Sequence, residues 1–291
     1  MQRASMQTAF KNTNERPRDV LLVDDFSLPE VRATAATFGH ASFGYIVTAN
    51  ADHAIRHYQD ASFRALYAAA SYVLLDSRFL VHLLRLLKGS VLRAAPGSDL
   101  THVLFEREIQ PHDRIILVGG NAEQVQKLRE LYGLKDLHHV DPPMNLMRNP
   151  GAIEACVREV EALSPFRFCF VTVGSPQQEV IAYKLRERGI ARGLALCVGS
   201  SVNFITGAEQ RAPTWMQELG CEWAYRLLQQ PRRMAYRYLV RGPKIFWVAC
   251  RIDLRLRRPM ISPQAPTQPE NVEESTEMVP QEPLLRASGI Q

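Results

Sequence analysis

From residue 19 to about residue 200, short apolar, often β-branched runs alternate with amphipathic stretches of helical length, and this alternation restricts the fold more than any other feature. The runs are Val20 to Val23, Tyr45 to Thr48, Tyr72 to Leu75, Arg114 to Val118, Phe168 to Val173 and Leu194 to Val198. A strand with one solvated face alternates apolar and polar residues. These are apolar nearly throughout, as a strand with helices on both faces must be. Between them the pattern predicts helices over 52–59, 61–70, 78–88, 98–109, 121–132, 152–163 and 176–188. Ser98 with Thr101, and Pro176, are helix-start residues, and Asp141-Pro142-Pro143 reads as a loop. The expected fold class is α/β, a Rossmann-like, mostly parallel sheet with helices on both faces, spanning residues 19–208.

After residue 208 the pattern changes. Trp215, Leu219, Trp223 and Leu227 recur every four residues, an apolar stripe on one helix whose other side carries Glu218, Glu222 and Arg226. Pro231 and Pro243 restart two more helices, the last expected over Lys244 to Arg258. Charge divides the same way. Residues 1–210 hold 23 basic and 22 acidic groups, residues 211–258 hold 11 and 3, and residues 259–291 hold 1 and 5. A near-neutral body is joined to a basic helical appendage over 209–258 and then to a Pro-, Gln- and Glu-rich tail, expected to be disordered like residues 1–18.

The five cysteines, at 156, 169, 197, 221 and 250, form no CxxC pair and read as small buried hydrophobes of a reducing compartment. The N-terminal residues carry no apolar signal core, and no run approaches the roughly 20 apolar residues that span a bilayer, so a cytoplasmic location is expected. The eight histidines show no ligand spacing. His53 and His57, an i, i+4 pair, are expected to face solvent. No GxxxxGK[ST] or GxSxG motif is present, which sets aside P-loop NTPases and the common α/β hydrolases.

In an open α/β sheet, ligands bind beyond the carboxyl ends of the strands. Thr48-Ala49-Asn50, Asp76-Ser77, Gly119-Gly120-Asn121 and Gly174-Ser175-Pro176-Gln177-Gln178-Glu179 stand at four such ends. Singly, each also reads as a turn or helix cap. Together they describe a cleft rimmed by helix N-termini, suited to a diphosphate. Asp76 ends an apolar strand, which makes it a general-base candidate or else the cap of the helix near Arg78. Gly119-Gly120 is half of a dinucleotide fingerprint, and Asp24-Asp25 reads as a surface turn. The basic block, interleaved with Trp and Tyr, suits anionic lipid over nucleic acid, the alternative being a packed subdomain with a solvated charged face.

Read in order, Thr48-Ala49-Asn50-Ala51, Asp76, Pro96-Gly97-Ser98-Asp99-Leu100, Val118-Gly119-Gly120, Gly174 to Glu179, Arg211-Ala212-Pro213-Thr214-Trp215-Met216-Gln217, Glu222-Trp223 and Pro231-Arg232-Arg233 resemble the WecG/TagA/CpsF family of bacterial glycosyltransferases, over about residues 20–255. The resemblance implies an inverting, metal-independent enzyme without a cofactor. It would move a sugar from a UDP-sugar to an undecaprenyl-diphosphate-linked acceptor at the inner face of the plasma membrane. Asp76 would be the base. Thr48, Asn50, Gly97, Asp99, Gly119, Gly120, Gly174, Ser175, Gln178, Glu179 and Asn203 would bind donor or acceptor, and Arg211, Arg226, Arg232, Arg233 and Arg237 would meet the lipid diphosphate and membrane. A homo-oligomer is compatible with this reading. The sequence departs from the family pattern at Ser77, Gln177 and Asn203, and Arg93 lies one position before the usual Arg; each change removes or moves a group near the cleft. These departures motivate a rival, a sugar-nucleotide-binding scaffold without transferase activity. An α/β nucleic-acid binder is a third reading.

Overall fold

The computed structural model describes residues 20–143 and 146–257; the stretches expected to be flexible, 1–18 and 259–291, lie outside the described residues. The chain runs β1 (Val20–Val23), α1 (Leu28–Ala36), β2 (Phe43–Ala49), α2 (Ala51–Gln59), α3 (Ala61–Ala69), β3 (Tyr72–Leu75), α4 (Arg78–Lys88), α5 (Gly97–Arg107), β4 (Ile115–Val118), α6 (Ala122–Tyr132), β5 (Leu137–Val140), α7 (Pro150–Ala162), β6 (Phe168–Val171), α8 (Gln177–Arg188), β7 (Gly193–Cys197) and α9 (Ser201–Ile205). Six strands form one all-parallel sheet in the order β3-β2-β7-β6-β4-β5. Every carboxyl end therefore opens on the same edge.

The apolar strands serve two cores. Along β2, Tyr45, Val47 and Ala49 join one cluster, with Ile55, Phe63, Leu80, Ile181 and Val248. Ile46 faces the other, with Leu74, Leu100, Leu117, Phe170 and Leu196. Successive strand residues point to opposite faces, so both must be apolar. Each such side chain, taken fully out of water, contributes about 1.5–3 kcal/mol. The α/β architecture with helices on both faces is thus the one expected.

Several elements differ from the sequence reading. Val20 to Val23 is a strand, but it stands outside the six-stranded sheet and pairs in parallel with β8 (Asp253–Leu256), which follows α10 (Thr214–Glu218), α11 (Glu222–Gln229), α12 (Pro231–Ala235), a π-helical turn over Tyr236–Arg241 and α13 (Lys244–Arg251). The helix expected to reach Arg258 therefore stops at Arg251. The single stripe from Trp215 to Leu227 is two helices, because Gly220 adopts φ +72°, and a side chain there would lie 2.8 Å from the Phe79 amide nitrogen. His53 and His57 are each only 5% exposed. The His53 ring nitrogen Nδ1 lies 2.9 Å from both the Thr48 carbonyl and the Tyr67 hydroxyl, since the inner face of α2 reaches across to α3. Asp24 is no surface turn: its carboxylate accepts the Val73 amide at 2.7 Å. Cys156, Cys169 and Cys197 are buried, whereas Cys250 is exposed.

The appendage leaves the sheet domain after α9 and returns to it through β8. Arg257 secures the return. Its guanidinium donates to the carbonyls of Tyr67 at 2.7 Å, Ala70 at 2.6 Å and Ser71 at 3.1 Å, capping the carboxyl end of α3 with a cation, and sits 3.9 Å from Asp24. Its side chain is 12% exposed, so solvent replaces little of this. Arg257→Ala is expected to lower the free energy of unfolding by about 2–4 kcal/mol, read from urea denaturation; a change under about 0.5 kcal/mol would contradict the assignment.

Candidate active site

Asp76 follows the last residue of β3, and its amide continues the parallel ladder by donating to the Ala49 carbonyl at 2.8 Å. The segment entering α5 then runs beside it. Ala95 donates to the Leu75 carbonyl at 2.8 Å, which brings the Gly97 amide to Oδ1 of Asp76 at 2.7 Å. The carboxylate thus receives the first free N–H of α5, while the hydroxyl of Ser77, at 3.2 Å from the Leu80 amide, caps α4. The two alternatives for Asp76 separate here, because the cap is Ser77.

Asp76 lies on the wall of a cavity of about 380 Å³ at the carboxyl edge of β2 and β3. The sheet domain contributes Asn50, Asp52, Asp76, Ser77 and Phe79, and the appendage contributes Glu222, Trp223, Arg226, Arg237, Tyr238 and Phe246. Burial raises the Asp76 carboxyl above its ordinary range; the Gly97 hydrogen bond and the Arg226 guanidinium oppose that rise, and the Glu222 carboxylate adds to it. Burial would also raise Asp52, but Arg237, Arg241 and Arg56 together hold it below the usual carboxylate value. Its two oxygens lie 3.1 Å from Arg241 and 3.4 Å from Arg56.

The charges around the cavity are mostly spent on one another. Arg226 pairs with Glu222 at 2.9 Å, with its guanidinium carbon 5.0 Å from the Phe204 ring centre. Asp99 bridges Arg78, at 2.8 Å, and Arg211. The buried Nε atoms of Arg56, Arg211 and Arg237 meet no hydrogen-bond acceptor among the described residues, and of these three arginines Arg237 is the one that lines the cavity. A buried unsatisfied donor on a cavity wall is where an anionic ligand is expected. The cavity also has an apolar lining, from Ile55, Phe79, Leu239, Ile245 and Phe246.

Of the residues singled out from sequence, Asn50, Asp76, Arg226 and Arg237 line this cavity together. Asn50 also caps α2 through Oδ1, at 3.0 and 3.2 Å from the amides of Asp52 and His53, so its NH2 is the group it can offer a ligand. Thr48 is 5% exposed and donates to the Cys197 carbonyl at 3.0 Å, behind the cavity wall. Gly97 acts through its amide on Asp76, and Asp99 through its two arginines.

The remaining residues lie along the same edge without lining the cavity. Gly119, at φ +88°, leaves no room for a side chain beside Val173, and Gly120 leads to Asn121, the cap of α6. Gly174 and Ser175 form the turn before α8, where the Ser175 hydroxyl is buried without a partner among the described residues. Gln178 accepts the Gly199 amide at 2.9 Å through Oε1 and donates to Glu179 at 2.9 Å; both residues are almost completely buried. Asn203 accepts from Gln124 at 2.8 Å and donates to Glu209 at 3.0 Å. Arg233 is 66% exposed and 3.6 Å from Glu209, and Arg232 is exposed. Arg93 binds Asp25 and Glu30.

Sequence reasoning missed Asp52 and Phe79. Asp52 carried a readable signal, an acid in the first turn of the helix that begins at Asn50. Tyr238 was readable only as one of the aromatics of the basic block, since its place on the wall follows from the π-helical turn. Among the described residues, no group of three His, Cys, Asp or Glu side chains is arranged to hold a metal ion, and no helix is long and apolar enough to cross a membrane.

The sequence profile of the glycosyl transferase WecG/TagA/CpsF family matches residues 20–259. That range includes the sheet, the strand end at Asp76 and the helices bearing Arg226 and Arg237. A cleft at the carboxyl edge of a parallel sheet, closed by these helices and lying within a match over most of the chain, makes the protein a glycosyltransferase of polysaccharide biosynthesis, with a sugar donor and a glycan acceptor as substrates: it belongs to the WecG/TagA/CpsF family.

Proposed function

We propose that the protein transfers a sugar, with inversion and without a metal, from a UDP-sugar of the UDP-glucose, UDP-N-acetylmannosamine or UDP-N-acetylmannosaminuronate type to an undecaprenyl-diphosphate-linked acceptor. The supporting observation is that a carboxylate of raised basicity, Asp76, and a guanidinium whose buried Nε has no acceptor among the described residues, Arg237, line one cavity together with apolar side chains. A lipid-linked diphosphate has both characters, an anion and a hydrocarbon chain, and few soluble metabolites do.

In this reaction Asp76 takes the proton of the acceptor hydroxyl as that oxygen attacks the anomeric carbon. The bond from that carbon to the UDP oxygen breaks, and its electron pair leaves with UDP. One displacement inverts the centre and needs no protein nucleophile. Arg226 and Arg237 stabilise the charge of the phosphates, in a site where protein dipoles replace most of the water. The NH2 of Asn50 is available to a sugar or phosphate oxygen. The appendage surface, with Trp215 60%, Leu228 79% and Leu239 60% exposed among its arginines, rests on the anionic inner face of the plasma membrane.

Asp76→Asn is expected to lower turnover by about 10²- to 10⁴-fold while leaving donor binding intact, measured as UDP release from each candidate donor with a lipid-linked acceptor. No turnover by the wild-type protein with any donor would instead favour the non-catalytic scaffold. The variant should fold. A carboxyl whose folded pKa is raised contributes stability below its unfolded pKa and loses it as pH rises through the folded one, so removing the charge does not destabilise the protein at neutral pH.

The pH profile tests the base separately. The acid limb of kcat/KM should lie above the ordinary aspartate range, because burial raises the Asp76 carboxyl. Arg226→Gln removes a cation that favours the carboxylate and frees the Glu222 charge, so the limb moves to higher pH; Glu222→Gln moves it to lower pH. A limb unmoved by either change would assign the base elsewhere.

A further inference from the structure

Helix α4 buries Leu80, Val81, Leu83 and Leu84. The appendage meets it at His82, whose Nε2 lies 2.9 Å from the Glu218 carbonyl, and at its last residue, Lys88. Between and beyond these contacts, Leu86 and Val91 are each 82% exposed and Leu87 is 44% exposed. Isolated exposed hydrophobes are ordinary, but three within six residues at the end of one helix form a patch.

Charge identifies the partner. Helix α4 carries Arg78, Arg85 and Lys88 and no acidic residue, and α13 carries Lys244 and Arg251 and no acidic residue. The two helices run side by side in the same direction. Phe79 meets Phe246 edge-on at 6.2 Å near their starts, and the Lys88 ammonium donates to the Ile252 carbonyl just past the end of α13. The next acid, Asp253, is already paired with Arg255 at 2.8 Å. Leu219, 64% exposed, sits on the turn that meets His82, next to the exposed Glu218. The nearby acids are Glu218 on that turn and Asp25 and Glu30, which Arg93 engages; Arg85 and Lys88 flank the aliphatic side chains directly, a pairing that matches the acyl and headgroup layers of an anionic bilayer.

We propose that the last turn of α4 and the loop to Val91 form a second contact with an anionic phospholipid surface, made by the sheet domain itself and additional to the appendage. The orientation rests on the membrane-facing reading above. Phe79 and Phe246 line the cavity at the starts of the same two helices, so this contact would place the helices that carry part of the cavity's apolar lining beside the bilayer that holds a polyprenyl-linked acceptor.

The test uses the full-length protein with vesicles of phosphatidylcholine containing about 30% phosphatidylglycerol. The Leu86→Ser/Leu87→Ser/Val91→Ser variant should lose at least about tenfold in vesicle partitioning, with its melting temperature and its turnover of a short-chain, water-soluble acceptor unchanged. Arg85→Glu should weaken binding further at low salt than at high salt. Amide exchange in residues 85–93 should slow only when vesicles are present. Absence of wild-type binding to the vesicles would overturn both this contact and the membrane reading. Wild-type binding matched by the triple variant would overturn this contact alone. Protection without vesicles that fades on dilution would assign the face to a second copy, and protection at every dilution to another segment of this chain; either overturns the proposal.

Discussion

The Asp76 carboxylate follows a strand of apolar residues, and a charge held in that half-buried place depends on the groups around the cavity to balance it. The parallel sheet leaves no freedom in where this happens, since the carboxyl end of β3 opens on the same edge as those of β2 and β7. Much of the local structure meets that demand. The 95–97 segment runs beside the strand end and supplies the Gly97 amide. The appendage supplies Arg226, which is itself held by Glu222, while Asp99 joins Arg78 to Arg211 and so fastens the start of the appendage to the sheet domain. Removing one partner of such a chain leaves another charge exposed to the same penalty.

The core strands were legible because burial on both faces leaves a continuous apolar run. Strand β5 was not, because Leu137-His138-His139-Val140 lies at the sheet edge, where His138 can reach Asp136 at 2.6 Å and His139 the Gly119 carbonyl at 3.1 Å. Strand β8, Asp-Leu-Arg-Leu, alternates as a strand with a solvated side does, but it follows a basic helix and reads as its continuation. What makes it a strand is pairing with β1, more than 200 residues earlier, a contact no local window contains. The break at Gly220 also has a distant cause, the close approach of α4.

The site was legible where a polar residue interrupts an apolar pattern. Asp76 and Asn50 follow from that signal, and both line the cavity. Arg211 and Arg233 illustrate what sequence leaves out. Their charge was visible, but their engagement with Asp99 and Glu209 depends on how the appendage folds back. Arg237 stands apart by its place, since it lines the cavity, where its charge lowers the Asp52 carboxyl. A count of basic residues cannot show which cations reach the cavity. His53 failed for a related reason: its helix looked polar, and only the packing of α2 against α3 shows that the ring is enclosed.

Because the helical segment that roofs the cavity is stitched to the body at both ends, at Arg211 through Asp99 and at Arg257 through the α3 carbonyls, it behaves as a strap and not as a free arm. A free arm would give up conformational freedom each time it came down on a substrate, and affinity would fall accordingly. A strap with fixed ends has surrendered most of that freedom when the chain folds. Its middle is held as well, by Arg241 of the π-helical turn on Asp52 at 3.1 Å and by Ile245, Val248 and Ala249 in the core beneath it.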